Sequence, residues 1–196
     1  MAVSFTNNFP MSILEGPQLL GLLPILCMAL TAIATMLLST LREKGRAVGF
    51  AMLIIGCVAA VASALVYPMH EAVVLLDGVL VFDRLSQIFS VLCIFAGLLA
   101  AMMTLGFDER EGLQPEYFSL IAYAVVGMMA MVSTRNLVFF FVALELMSLA
   151  VYVLVSMHRA SPMAAEAGLK YFLLGGAASA VLLYGASIIY GTTGSL

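Results

Sequence analysis

Two ionisable residues stand inside long uncharged runs of this sequence, Glu145 within 136–157 and Lys170 within 167–190. Near the centre of a bilayer such a group costs about 2.5–3.5 kcal/mol on insertion scales, and it persists when it faces protein or water and finds a partner. Burial and the approach of an opposite charge act in opposite senses on the proton affinity of a carboxyl or an amine. A Glu/Lys pair whose spacing changes therefore takes up and releases protons, which is what a proton relay requires. Ser148 and Tyr152 follow Glu145 at i+3 and i+7, so the three make one polar stripe on an otherwise apolar helix. His158, beside Arg159, closes the same run and is either a solvated interfacial residue or a proton-entry group.

The positions of these residues depend on the helices that carry them. Six runs free or almost free of charge approach or exceed the roughly 20 helical residues that cross a hydrocarbon core: 17–41, 47–67, 85–106, 117–134, 136–157 and 167–190. The expected fold is an all-α, polytopic transmembrane bundle forming one membrane domain over residues 1–196. Glu145 then lies roughly 13 Å from the outer end of the fifth span at 1.5 Å per residue, near the midplane and out of reach of either surface. Lys170 stands about two turns beyond Ser161-Pro162, an N-cap followed by proline at the first helical position. Its stem is long enough to reach up toward Glu145 or down to the interface.

The connections are short, which favours antiparallel neighbours. Residues 68–84 make the longest outer loop, and Asp77-Gly78 between two apolar runs is a hairpin signal. Residues 107–116 hold the densest acidic cluster. Arg42, Lys44, Arg46, Arg110 and Arg159 fall in one set of loops and Arg84 and Arg135 in the other. By the positive-inside rule this places the N-terminus outside. Residues 1–16 read as a short external lead, because the first basic residue is Arg42 and no basic signal-peptide region precedes the apolar run.

Composition narrows the class. Of 196 residues, 64% are hydrophobic and 10% charged, against roughly a quarter charged in soluble domains. A net charge of −3 gives no reason to expect nucleic acid as a partner. Cys27, Cys57 and Cys93 fall in three different apolar spans with no CxxC spacing, so they read as packing residues and not as a disulfide framework or a metal site. No nucleophile–His–Asp set, phosphate-binding glycine loop or metal-ligand cluster is visible, so no covalent chemistry is expected of this chain. The run Gly175-Gly176-Ala177-Ala178-Ser179-Ala180, with Gly185 further on, reads as a face for close helix packing.

Residues 135–195 carry a more specific signal: Arg135-Asn136-Leu137, Glu145-Leu146-Met147-Ser148-Leu149, Glu166-Ala167-Gly168-Leu169-Lys170-Tyr171-Phe172-Leu173-Leu174-Gly175, Leu183-Tyr184-Gly185 and Tyr190-Gly191-Thr192-Thr193-Gly194-Ser195. This third of the chain closely resembles the subunit N family of proton-pumping NADH–quinone oxidoreductase (complex I), an antiporter-like membrane subunit; Asp77-Gly78 through Asp83-Arg84-Leu85 agrees more weakly. The resemblance implies that Glu145 is the family's essential fifth-helix glutamate, which modulates the charge of a pumping lysine on the seventh helix, and that Lys170 is its sixth-helix lysine; in the proton relay expected of the two, Ser148, Tyr152 and His158 are supporting candidates by their own positions. It implies a multi-pass protein of a bacterial inner membrane whose partners are other membrane-arm subunits, lipid and protons. It also implies no cofactor in this chain, since NADH, FMN, iron–sulfur clusters and quinone act elsewhere in such a complex. Members of the family continue through a broken seventh helix bearing a lysine, so the sequence is expected to be an N-terminal portion, or else to be completed by a second polypeptide. The alternatives are the equivalent subunit of a Mrp-type cation/proton antiporter or energy-converting hydrogenase, and a non-pumping membrane scaffold that uses the Glu145 stripe for helix assembly.

Overall fold

The structure is a computed structural model, and it describes residues 16–41, 45–66, 72–104, 116–158 and 161–195. Six helices follow in order: α1 Gly16–Leu41, α2 Gly45–Val66, α3 Arg84–Met103, α4 Tyr117–Val132, α5 Leu137–Ser156 and α6 Pro162–Thr193. A two-stranded hairpin, β1 Val73–Leu75 and β2 Leu80–Phe82, stands between α2 and α3. Residues 1–15 of the expected 1–16 lead, Arg42 and Lys44, His70, Arg159 and most of the acidic cluster at 107–116 lie outside the described residues.

Local chemistry sets the helix boundaries. Asp83 caps α3 by accepting from the Ser86 amide at 2.8 Å, and the Ser86 hydroxyl accepts from the Asp83 amide in return. Asn136 opens α5 by accepting from the amides of Val138 and Phe139. Ser161 caps α6 with Pro162 in the first turn, as the sequence suggests, and Gly194 ends that helix in the left-handed conformation (φ 71°) with its amide on the Tyr190 carbonyl. Beginning at Pro162, α6 runs for 32 residues, beyond the span of 167–190 at both ends.

Among the described residues, five helices are long and apolar enough to cross a membrane, and α4, with 16 residues, is the shorter exception. It extends about 24 Å at 1.5 Å per residue. The expected span of 117–134 ends early because the chain leaves the helix at Ser133 to pair with the hairpin. α4 is nonetheless the centre of the bundle, packed against α1, α3 and α5. Its Phe118, Val125 and Met129 meet Met28 of α1, Leu53 of α2 and Ile94 of α3 in one buried cluster.

The hairpin forms where Asp77-Gly78 suggests it, in the register Val73↔Phe82, Val74↔Val81 and Leu75↔Leu80. Gly78 sits at φ 96°, where a side chain would strain the turn. β2 then gains a second partner in the α4–α5 connector. Leu80 bridges to Thr134, the Val81 amide donates to the Ser133 carbonyl at 2.8 Å, and the Thr134 hydroxyl donates to the Val79 carbonyl at 2.7 Å. Leu75, Leu80 and Phe82 are buried against Leu22 and Ile25 of α1 and Phe139 of α5. Hairpin and connector thus satisfy each other's backbone groups at one end of the bundle, which irregular backbone near a membrane requires. Thr134→Val is expected to cost about 1 kcal/mol through the lost hydroxyl bond, with faster hydrogen–deuterium exchange at Val79–Val81. Unchanged exchange there would refute the clamp.

Candidate functional site

α5 presents two different faces to its neighbours. Ala143, Met147 and Ala150 turn toward α4, where Gly127 comes so close that a Cβ built on it would lie 2.7 Å from the Met147 amide nitrogen and 2.8 Å from the Ala143 carbonyl oxygen. Glu145 is two residues, or about 200°, from Ala143 around the helix. It therefore points away from the bundle centre and into the interface with α6.

In that interface the two helices run antiparallel. Glu145 of α5 meets Ser179 of α6, Tyr152 meets Gly175, and Ser156 meets Gly168. The α6 contact stripe is Gly168, Gly175, Ser179 and Ala186, at successive spacings of seven, four and seven residues. All four are small, which lets the helices approach closely where lipid supplies no hydrophobic drive. Gly175 in particular has no room for a side chain, because the Tyr152 hydroxyl occupies the space a Cβ would take. The Tyr152 ring is buried, edge-on to both Tyr171 and Phe172 with centroids 5.1 and 5.7 Å away.

The Ser179 hydroxyl donates to Oε1 of Glu145. Oε2 has no hydrogen-bond partner among the described residues. Glu145 lies eight residues from the start of α5, about 12 Å along a helix of about 30 Å. Ser148 is half-buried, Tyr152 is buried, and His158 is exposed just past the end of α5. Of the residues read as one polar stripe, Glu145 and Tyr152 face α6.

Lys170 does not reach Glu145 and pairs within its own helix. Its ammonium lies 2.5 Å from the Glu166 carboxylate one turn back on α6, with 69% and 63% of the two side chains exposed. Lys170 lies nine residues before Ser179, about 13 Å along the helix axis, so the chain brings Glu145 together with a hydroxyl and leaves the lysine paired elsewhere. Reading the sequence missed Ser179 as the partner of Glu145. The available signal was that Ser179 is the only hydrogen-bonding side chain in the run Gly175–Ala180, a run assigned to packing as a whole. Among the described residues no group of three or more His, Cys, Asp or Glu is placed to hold a metal ion.

Apolar spans around a central helix, with a carboxylate held inside one helix pair, define a multi-pass helical membrane protein. Residues 134–196 match the family described as NADH:quinone oxidoreductase/Mrp antiporter, transmembrane. The chain is 38% identical over 181 residues to NADH-quinone oxidoreductase subunit N of Parvibaculum lavamentivorans, covering 92% of this chain and 38% of that relative. With subunit N of Desulfovibrio desulfuricans it shares 38% over 177 residues, covering 89% of this chain and 35% of the relative. Among solved structures it is similar to a chain of respiratory complex I from Thermus thermophilus, at a TM-score of 0.73 and 32% identity over 88% of this chain and 38% of that one. A chain of the archaeal membrane-bound sulfane sulfur reductase shares the fold at a TM-score of 0.72 and 21% identity, covering 90% of this chain and 38% of that one. This chain belongs to the antiporter-like membrane-subunit family in which subunit N falls. It spans a little over a third of the length of the subunit N relatives it matches.

Proposed function

We propose that this chain forms part of a proton-translocating membrane subunit of a bacterial NADH–quinone oxidoreductase, with Glu145 as the group that takes up and releases the proton. The observation that carries this reading is the state of the Glu145 carboxylate. It sits near the middle of the apolar helix α5, at the interface with α6, one oxygen held by Ser179 and the other unpartnered among the described residues. An ionisable group at that depth is retained where it serves ions or protons, and an unpartnered oxygen is the atom to which a proton can be delivered. Lys170 acts in this reading from the end of α6 where it pairs with Glu166, changing the field along the helix pair without bonding to Glu145. Tyr152 and Ser148 line the same stripe, and His158 stands at its solvated end. The redox cofactors belong to other subunits, and the partners of this chain are those membrane-arm subunits and the surrounding lipid.

The family model covers oxidoreductase subunits and Mrp antiporters together, so cation exchange is the second reading; the subunit N relatives favour the first. The test is NADH-driven acidification of inverted membrane vesicles carrying the native complex or its Glu145→Gln variant, with and without sodium. Translocation that needs sodium favours cation exchange. Translocation unaffected by the substitution removes Glu145 from the path.

A further inference from the structure

Serine and threonine hydroxyls inside helices usually donate to their own helix three or four residues back, and several in this chain do. Ser133 donates to Met129, Ser156 to Tyr152, Ser187 to Tyr184 and Thr193 to Ile189. Ser179 departs from that pattern and gives its proton across the interface to Oε1 of Glu145. It is 9% exposed, and the other members of its stripe, Gly168, Gly175 and Ala186, offer no side-chain donor. The geometry points to Ser179 as the positioning residue of the Glu145 carboxylate, an inference that rests on the proposed proton-carrying role of Glu145. A glutamate side chain has three torsions to fix, and one bond at Oε1 leaves Oε2 as the oxygen that gains or loses the proton. The bond persists through the cycle, because the carbonyl oxygen of the protonated acid still accepts from a hydroxyl. Ser179 therefore determines where the proton arrives without itself changing protonation state. The Tyr152 hydroxyl is lodged against Gly175, one turn from Ser179.

The experiment uses the complete membrane complex carrying Ser179→Ala, Ser179→Thr, Ser179→Cys or Glu145→Gln, with assembly checked on native gels. Two quantities are read: NADH-driven proton translocation, and the infrared carboxyl C=O band that Glu145→Gln removes. Ser179→Ala is expected to lower translocation about tenfold, the scale of a lost hydrogen bond to a charged group, and to move the Glu145 band to higher wavenumber. Ser179→Thr keeps the donor and is expected to hold translocation within about twofold with the band in place. Ser179→Cys keeps the volume with a weak donor and is expected to fall with alanine. If the band stays in place in the alanine variant, or cysteine behaves as threonine does, Ser179 only fills space and the inference is overturned. An effect of Ser179→Ala without any effect of Glu145→Gln refutes the role of Glu145 itself, a different result.

Discussion

Replacing Glu145 by glutamine is expected to reduce proton translocation by at least about tenfold, against the roughly hundredfold or more that a positioned acid–base group contributes, while the complex assembles in normal amount. Glutamine has the length of glutamate and carries an acceptor oxygen for the Ser179 hydroxyl, so the α5–α6 contact survives. What it removes is the ability to bind and release a proton. Glu145→Asp draws the carboxylate back by one methylene and is expected to fall between wild type and glutamine, since the acid is kept but the bond to Ser179 is lost. Glu145→Ala leaves Ser179 without its acceptor, and the hydroxyl can then turn to the carbonyl of its own helix at Gly175. All three variants are read from vesicle acidification set against the amount of assembled complex. Normal translocation in the glutamine variant would refute the relay reading, and loss of assembly in that variant would make Glu145 a structural residue.

The largest effect on folding is expected at Gly127. A Cβ there would sit 2.7 Å from the Met147 amide nitrogen, 2.8 Å from the Ala143 carbonyl oxygen and 2.8 Å from the Met147 Cβ. Two of those three neighbours are backbone atoms in the middle of a hydrogen-bonded helix and cannot turn aside. Any side chain at 127 must therefore push α4 and α5 apart, and α4 also packs against α1, α2 and α3. Gly127→Leu is expected to cost about 3 kcal/mol or more, the upper part of the range for overpacking, and Gly127→Ala a smaller fraction. Gly176 lies on the open side of α6, where an added methyl group would meet no atom within 4 Å, and it is the internal control. Gly176→Ala is expected to be neutral or to stabilise by up to about 1 kcal/mol through helix propensity alone. Thermal unfolding of the detergent-solubilised protein compares the two. Equal shifts at positions 127 and 176 would mean that the α4–α5 contact is looser than its geometry.

What was legible in the sequence followed from one-dimensional rules. Apolar runs of spanning length marked the helices because lipid satisfies no backbone group outside a helix or closed barrel. Ser161-Pro162 marked the start of α6, because a hydroxyl cap and a missing amide suit only a helix N-terminus. Asp77-Gly78 marked the hairpin, because Gly78 needs a positive φ. Glu145 stood out because a charge among apolar residues is costly wherever the helix places it. Which residue answers that charge was decided by tertiary structure. The run from Gly175 to Ala180 contains one hydroxyl, and helical phase alone says which residues share its face without saying which neighbour that face meets. Only the antiparallel register of α5 on α6, set by Tyr152 seated at Gly175 and Ser156 at Gly168, brings Ser179 level with Glu145 and keeps Lys170, paired with Glu166 one turn back on its own helix, away from it. The bond from Thr134 to Val79, just before β2 and across 55 residues of sequence, was hidden for the same reason. Composition and periodicity act along the chain, whereas a bond between two helices depends on the offset at which close packing locks them together.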